Sequence, residues 1–171
     1  MTLPSVIDDL SRRFPEATNG ARWELLSDRV MGGVSAGRLS LEPVAGRMAI
    51  RLQGDVSLEN NGGFIQMALD LDPMGGSVDC RGYEGLEIAV SGNRETYGLH
   101  LRTADLGRPW QSYRQAFLAP PDWETIRLPF AKFLPHRTDV EFAPGRIRRL
   151  GLVAIGRAFR ADLALSAIRF F

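Results

Sequence analysis

Through most of this chain the apolar residues recur at every second position, not every third or fourth. In "GRMAIRLQG" they are Met48, Ile50 and Leu52, set against Arg47, Arg51 and Gln53. In "FIQMALDLD" Ile65, Met67, Leu69 and Leu71 alternate with Gln66, Asp70 and Asp72. "GLEIAVSG" repeats the pattern with Leu86, Ile88 and Val90, and "TYGLHLRT" with Tyr97, Leu99 and Leu101. Period two sends successive side chains to opposite faces, which describes a half-buried β-strand. Residues 37–42, 111–118, 123–129, 147–155 and 159–170 read as further strands. The turns "DPMGG", "SGN", "APPD" and "APG" punctuate them. About nine or ten short strands without crossover helices predict a mainly antiparallel two-sheet sandwich or barrel.

Only residues 5–14, "SVIDDLSRRF", read as helix: Ser5 can cap, Val6, Leu10 and Phe14 keep helical spacing, and Pro15 ends it. A chain of 171 residues is long enough for one cored domain. The expectation is therefore a single domain over 1–171, with a short N-terminal helix and a β-sandwich from 22 to 170.

A net charge of +1 gives no electrostatic case for nucleic acid or an anionic membrane. The basic set is twenty Arg and one Lys, Lys132. The longest aliphatic runs, such as "LGLVAI", are too short to insert in a bilayer. Cys80 is the single cysteine, so no intrachain disulfide can form. "MTLPSVIDDLSRRF" has neither a secretory h-region nor an acid-poor transit composition. The expected location is the cytoplasm.

Gly33-Val34-Ser35-Ala36-Gly37 spells G-x-S-x-G, the nucleophile elbow of serine hydrolases. A working elbow needs a helix directly after the serine, whereas "AGRLSLEPVAGRMAIRL" reads strand, turn, strand. Its only general-base candidates are His100, within a strand, and His136, in a loop with Asp139 three residues on. The glycines are better explained by a turn or bulge that needs positive φ or close backbone approach. No phosphate loop, dinucleotide fingerprint or zinc set is present, so no catalytic residue, cofactor or metal is expected. Asp70 and Asp72 offer oxygen ligands for calcium, but a solvated strand end explains them better.

A second stretch, "SLENNGGF" (57–64), echoes "SDRVMGGVSAG" (27–37). Together they resemble the paired motifs of the complex I intermediate-associated protein 30 family. The following order, "YGLHLRT", "YRQAF" and "WETIRLPFAKFLP", is similar to that family too, over roughly residues 22–170. Thr138, beside Arg137, departs from the family's usual glycine. The resemblance implies a galactose-binding-like, jelly-roll β-sandwich without catalytic residues. It implies an assembly factor or chaperone-like partner of a protein complex, in a stand-alone, bacterial-type form. Its protein client is not carried over. A carbohydrate- or small-ligand-binding module is the alternative, because similar sandwiches serve both roles.

Three groups of residues are candidates for binding. The glycine stretches offer a rim of Asp28, Arg29, Asn60 and Asn61, unless these polar groups only satisfy backbone donors in the turns. Gly32, Gly33, Gly62 and Gly63 shape that rim, with Met31 and Phe64 expected to anchor it in the core. Opposite the apolar sets lie Gln66, Glu87, His100, Arg102 and Arg114, which make one polar face if their strands share a sheet. Trp110 and Tyr113, beside Arg108 and Arg114, offer an aromatic platform for sugar, against a loop anchor for Trp110 and a core position for Tyr113 and Trp123.

Overall fold

The computed structural model describes residues 3–171. Its twelve strands are β1 (Val6–Asp8), β2 (Glu24–Ser27), β3 (Ala36–Val44), β4 (Arg47–Val56), β5 (Phe64–Asp70), β6 (Gly85–Gly92), β7 (Thr96–Thr103), β8 (Ser112–Leu118), β9 (Glu124–Pro129), β10 (Leu134–His136), β11 (Ile147–Ile155) and β12 (Phe159–Phe170). They form two antiparallel sheets. The first has the order β3-β4-β12-β6-β9, with β1 also paired to β12, and the second has the order β10-β8-β7-β11-β5-β2. No helix among the described residues is long and apolar enough to cross a membrane.

The alternating residues of the two sheets meet in one apolar layer. Ile50, Leu52, Ile88, Leu163 and Leu165 face it from the first sheet; Met67, Leu69, Leu99, Leu101, Leu150 and Leu152 face it from the second. Burial of a side chain of this size is worth about 1.5–3 kcal/mol, so this layer is the main force holding the sheets together.

The expected helix at 5–14 is absent. Val6 pairs with Arg169 and Asp8 with Ile168, making β1 a strand of the first sheet. Leu10 then adopts φ 65°, which no right-handed helix admits. The Asp8 carboxylate accepts the backbone N–H groups of Leu10 (3.0 Å) and Thr18 (3.2 Å), and the Asp9 carboxylate accepts that of Ser11 (3.1 Å). The bonds from Leu10 and Ser11 take donors that a helix over 5–14 needs.

Register defines the two ends of the second sheet. Ile155 pairs with Phe64, and Val153 with Gln66 and Gly98. The starts of β5 and β7 and the end of β11 therefore lie together. Ser27 pairs with Ile65, so both glycine stretches, which adjoin β2 and β5, sit at this end. At the other end Arg149 pairs with Asp70 and Arg102, near the β7–β8 loop that carries Trp110.

Candidate functional site

The two glycine stretches close around one carboxylate. Residues Asp28–Met31 and Glu59–Asn61 each form a short 3-10 turn, and Gly32 ends the first at φ 87°. Asp28 is fully buried. One of its oxygens accepts the Ser35 N–H at 3.0 Å. The other accepts the Ser35 hydroxyl at 2.5 Å, the Gly63 N–H at 2.6 Å and the Phe64 N–H at 3.3 Å. Burial pushes the pKa of this carboxyl up, but the bonds from Ser35, Gly63 and Phe64 outweigh it and hold the group below its usual value.

The glycines make room for Asp28. A Cβ on Gly33 would lie 2.4 Å from the Asp28 carboxyl carbon, and one on Gly62 would lie 2.4 Å from its Oδ2. Gly63 has φ 140°, a conformation open to glycine and to few other residues. Asn60 ties the loops together from outside, its amide donating to the Gly32 carbonyl at 3.3 Å. Asn60 and Asn61 both take left-handed backbone, at φ 56° and 58°.

Ser35 belongs to this same lock. It is buried, gives its hydroxyl proton to Asp28, and accepts the Ser57 N–H at 2.8 Å. Strand β3 follows it, and the partner holding its hydroxyl is a carboxylate, not an imidazole. This is the geometry of a structural serine.

Of the rim residues, Asp28 is inside while Arg29, Asn60 and Asn61 are exposed. Arg29 donates to the Ser35 carbonyl at 3.0 Å. Met31 is no core anchor. It is 61% exposed, because the 3-10 turn points it away from the sandwich, and Val30 beside it is 76% exposed. Phe64 is half-buried. Val34 and Leu58 are exposed as well. The two loops thus present four apolar side chains that alternation did not single out. Their signal in the sequence is apolar residues inside glycine-rich turns, where no strand period explains them.

The polar face is divided by topology. Gln66, His100, Arg102 and Arg114 share the outer face of the second sheet, with His100 directly opposite Arg114 and also paired with Gly151. Glu87 lies in β6 of the first sheet, where Arg127 (2.9 Å) and Arg169 (2.7 Å) hold it. Alternation gives a residue's face but not its sheet, so the shared face expected if these strands joined one sheet holds for four of the residues and not for Glu87.

Burial first, then the positive charges of Arg114 and His136, push the His100 pKa down to about 3, so its imidazole is neutral. A shallow hollow of about 220 Å³ lies between Thr96, Gly98, His100, Arg114, Ala116 and Ile155.

The expected aromatic platform is split. Tyr113 is fully buried and donates its hydroxyl to the Val140 carbonyl at 2.8 Å. Trp110 is 53% exposed and lies in the loop at the far end of the sheet, with the Arg108 guanidinium 5.8 Å from its ring centre. Trp123 is half-buried, its indole N–H bonded to the Val44 carbonyl at 2.9 Å.

Asp70 is engaged by Arg149 at 2.6 Å, and Asp72 accepts the Met74 N–H in a turn at 2.9 Å. No cluster of three His, Cys, Asp or Glu suited to a metal occurs among the described residues.

The sequence matches the family model described as Complex I intermediate-associated protein 30 over residues 12–165. No curated protein matches it. Among solved structures, one similar chain is the family 11 carbohydrate-binding module from Clostridium thermocellum in complex with a β-1,3-1,4-mixed-linked tetrasaccharide. It has a TM-score of 0.75 at 9% identity, over 98% of this chain and 94% of that one. A family 30 carbohydrate-binding module of a cellulosomal cellulase from the same organism gives 0.57 at 16% identity, over 81% and 91%. An exo-β-agarase gives 0.62 at 8% identity, over 98% of this chain and 25% of that one. At such identities the likeness is one of fold.

Proposed function

Since the chain belongs to the complex I intermediate-associated protein 30 family, we propose that it is a non-catalytic, single-domain module that binds a protein client, as an assembly factor does. The observation that carries this reading is the set of exposed apolar side chains, Val30, Met31, Val34 and Leu58, on two loops locked by a buried carboxylate. Apolar groups on a rigid support suit protein contact, because little order is lost on binding. A cytoplasmic setting belongs to the same proposal, supported by the lone, buried thiol of Cys80. The test compares capture and reconstitution of an identified client by the wild type, Met31→Asp and Leu58→Asp. Unchanged melting with lost client binding supports the reading, and undiminished client affinity in both variants refutes it.

A carbohydrate on the outer face of the second sheet is the second reading. It is favoured by the hollow beside His100 and by the fold shared with modules whose names record carbohydrate binding. Against it, Tyr113 faces the core and Trp110 lies beyond the other end of the sheet, so the hollow has no exposed ring for a sugar to stack on. Retention on a neutral glycan array, abolished by Ala116→Trp, is the outcome that favours this reading over the first.

A further inference from the structure

We infer that the client lays an acidic segment across the outer face of the second sheet, its carboxylates held by the guanidiniums of Arg114 and Arg102. This rests on the protein-client reading and extends it to a second surface.

The strongest indication is a mismatch among the arginines of this face. Arg149 is neutralised by Asp70 (2.6 Å) and Glu24 (2.9 Å), and Arg157 pairs with Glu95. Arg102 and Arg114 have no acidic partner among the described residues. Arg114 spends its Nε on the Ser112 hydroxyl at 2.9 Å, and Arg102 gives one terminal nitrogen to the Arg108 carbonyl at 3.1 Å. The Nε of Arg102 is buried with no hydrogen-bond partner. Guanidiniums this far out of water are normally paired. Part of their desolvation is already built into the fold, so an arriving carboxylate strips less water from them than from fully exposed guanidiniums. The planar fork of each suits a carboxylate's two oxygens.

The surroundings fit an extended acidic segment. His100 stands directly across from Arg114, and His136 follows on β10, which pairs with β8 at the same edge. Both imidazoles add donor capacity without adding a negative charge. Gly98, Gly151, Ala68 and Ala116 place no long side chain on the floor. His100 and Gln66 lie low across it, as a Cβ on Gly98 would be 2.9 Å from the His100 Nε2 and one on Gly151 2.4 Å from the Gln66 Oε1. From the Ile155–Phe64 pair to the Arg149–Asp70 pair is six residue steps, or roughly 20 Å, the span of about six extended residues.

The face also runs into the loop tips. Gly156, next to Ile155 in the hollow, donates its N–H to the Gly63 carbonyl at 3.2 Å. A client seated on Met31 and Leu58 can therefore continue onto the basic face without a break. Two unpaired cations favour an anion over a neutral ligand.

The probe is a labelled hexaglutamate peptide, titrated against the full chain by anisotropy, with amide shifts of Gly98 and Gly151 as the local readout. Expected is binding that weakens with added salt, falls about tenfold in Arg114→Gln or Arg102→Gln, and is lost in the double variant while the melting temperature holds. Affinity no greater than for hexaglutamine, or unchanged in the double variant, overturns the inference. So does tighter binding of oligogalacturonate than of hexaglutamate, since the ligand would then be an acidic glycan. If an identified client binds the double arginine variant as tightly as wild type, the acidic-segment inference fails while the loop-tip reading stands. If it binds Met31→Asp and Leu58→Asp undiminished but not the double arginine variant, the loop-tip reading fails and the inference stands.

Discussion

The glycine loops and the outer face of the second sheet treat charge in opposite ways. In the loops a fully buried carboxylate, Asp28, has three backbone N–H groups and a hydroxyl aimed at it, and no cation among the described residues. On the sheet two half-buried cations, Arg102 and Arg114, have hydroxyl and carbonyl neighbours and, among the described residues, no carboxylate. The first arrangement is complete within the chain and the second is not. A polar group whose bonds are all satisfied internally maintains the fold, whereas one left short is available to something outside. By that contrast the loops' polar residues are structural and their apolar residues are the exposed ones, while the sheet's polar residues are available.

The largest expected effect breaks the complete arrangement. Asp28→Ala leaves the Ser35, Gly63 and Phe64 N–H groups without their acceptor, and should cost about 3–5 kcal/mol of stability in urea melts. Asp28→Asn should cost less, since an amide oxygen retains part of the acceptor role. Because the folded state holds this carboxyl below its usual value, its stabilisation is present above the ordinary carboxylate pKa and is lost as pH falls through the folded one. If Asp28→Ala melts like wild type, the carboxylate is not what locks the loops.

Next in size are the glycines that face it. Gly33→Ala and Gly62→Ala each place a Cβ 2.4 Å from the Asp28 carboxyl and should cost about 1–3 kcal/mol. Gly32→Ala meets open space and carries only the penalty of φ 87°, about 1 kcal/mol. A double-mutant cycle sharpens this. In an Asp28→Ala background the cost of Gly62→Ala should shrink markedly, since its two shortest contacts are with the carboxyl group, whereas that of Gly32→Ala should persist. Additive behaviour at Gly62 means that its constraint comes from elsewhere.

These loops also show what was legible in the sequence. The paired glycines and their polar neighbours mark a special backbone, and alternation separates buried Ile65, Met67 and Leu69 from half-buried Gln66 and Asp70. Helical spacing of Val6, Leu10 and Phe14 misled because the deciding interactions are distant: pairing with β12, and the Asp8 bond to Thr18. Glu87 misled for a related reason, since which sheet a strand joins is set by long-range pairing. The unpaired state of Arg102 was invisible too, because it depends on Asp70 and Glu24 being taken by its β11 neighbour Arg149.

On the sheet face, acid should reveal His100. Its pKa lies near 3 in the folded state, depressed by burial and then by Arg114 and His136, and near 6.5 when unfolded. The unfolded chain therefore binds the proton first, and stability falls as pH drops below about 6.5. Linkage gives a loss of about 0.7 kcal/mol between pH 7 and 6, steepening to ~1.4 kcal/mol per pH unit below that. The His136 pKa is shifted the same way, so His100→Gln should remove this contribution and leave that of His136. An unchanged pH profile in His100→Gln would mean that the ring is hydrated and not enclosed.

The smallest stability effect is expected where the comparison places the largest binding effect. Removing one partner of a buried ion pair strands the other charge, but Arg102 and Arg114 have no acidic partner to strand. Arg114→Gln gives up one bond to the Ser112 hydroxyl, and Arg102→Gln one bond to a carbonyl. Against this, each variant relieves a desolvated charge and its repulsion from neighbours: Arg137 near Arg114, and Arg148 and Arg149 near Arg102. These terms are similar in size, so each variant should stay within about 0.5 kcal/mol of wild type, and either sign is compatible with the site. A loss above about 2 kcal/mol in thermal or urea melts would mean that the guanidiniums hold the sheet together, as Asp28 holds the loops. The contrast between a satisfied and an unsatisfied region would then disappear.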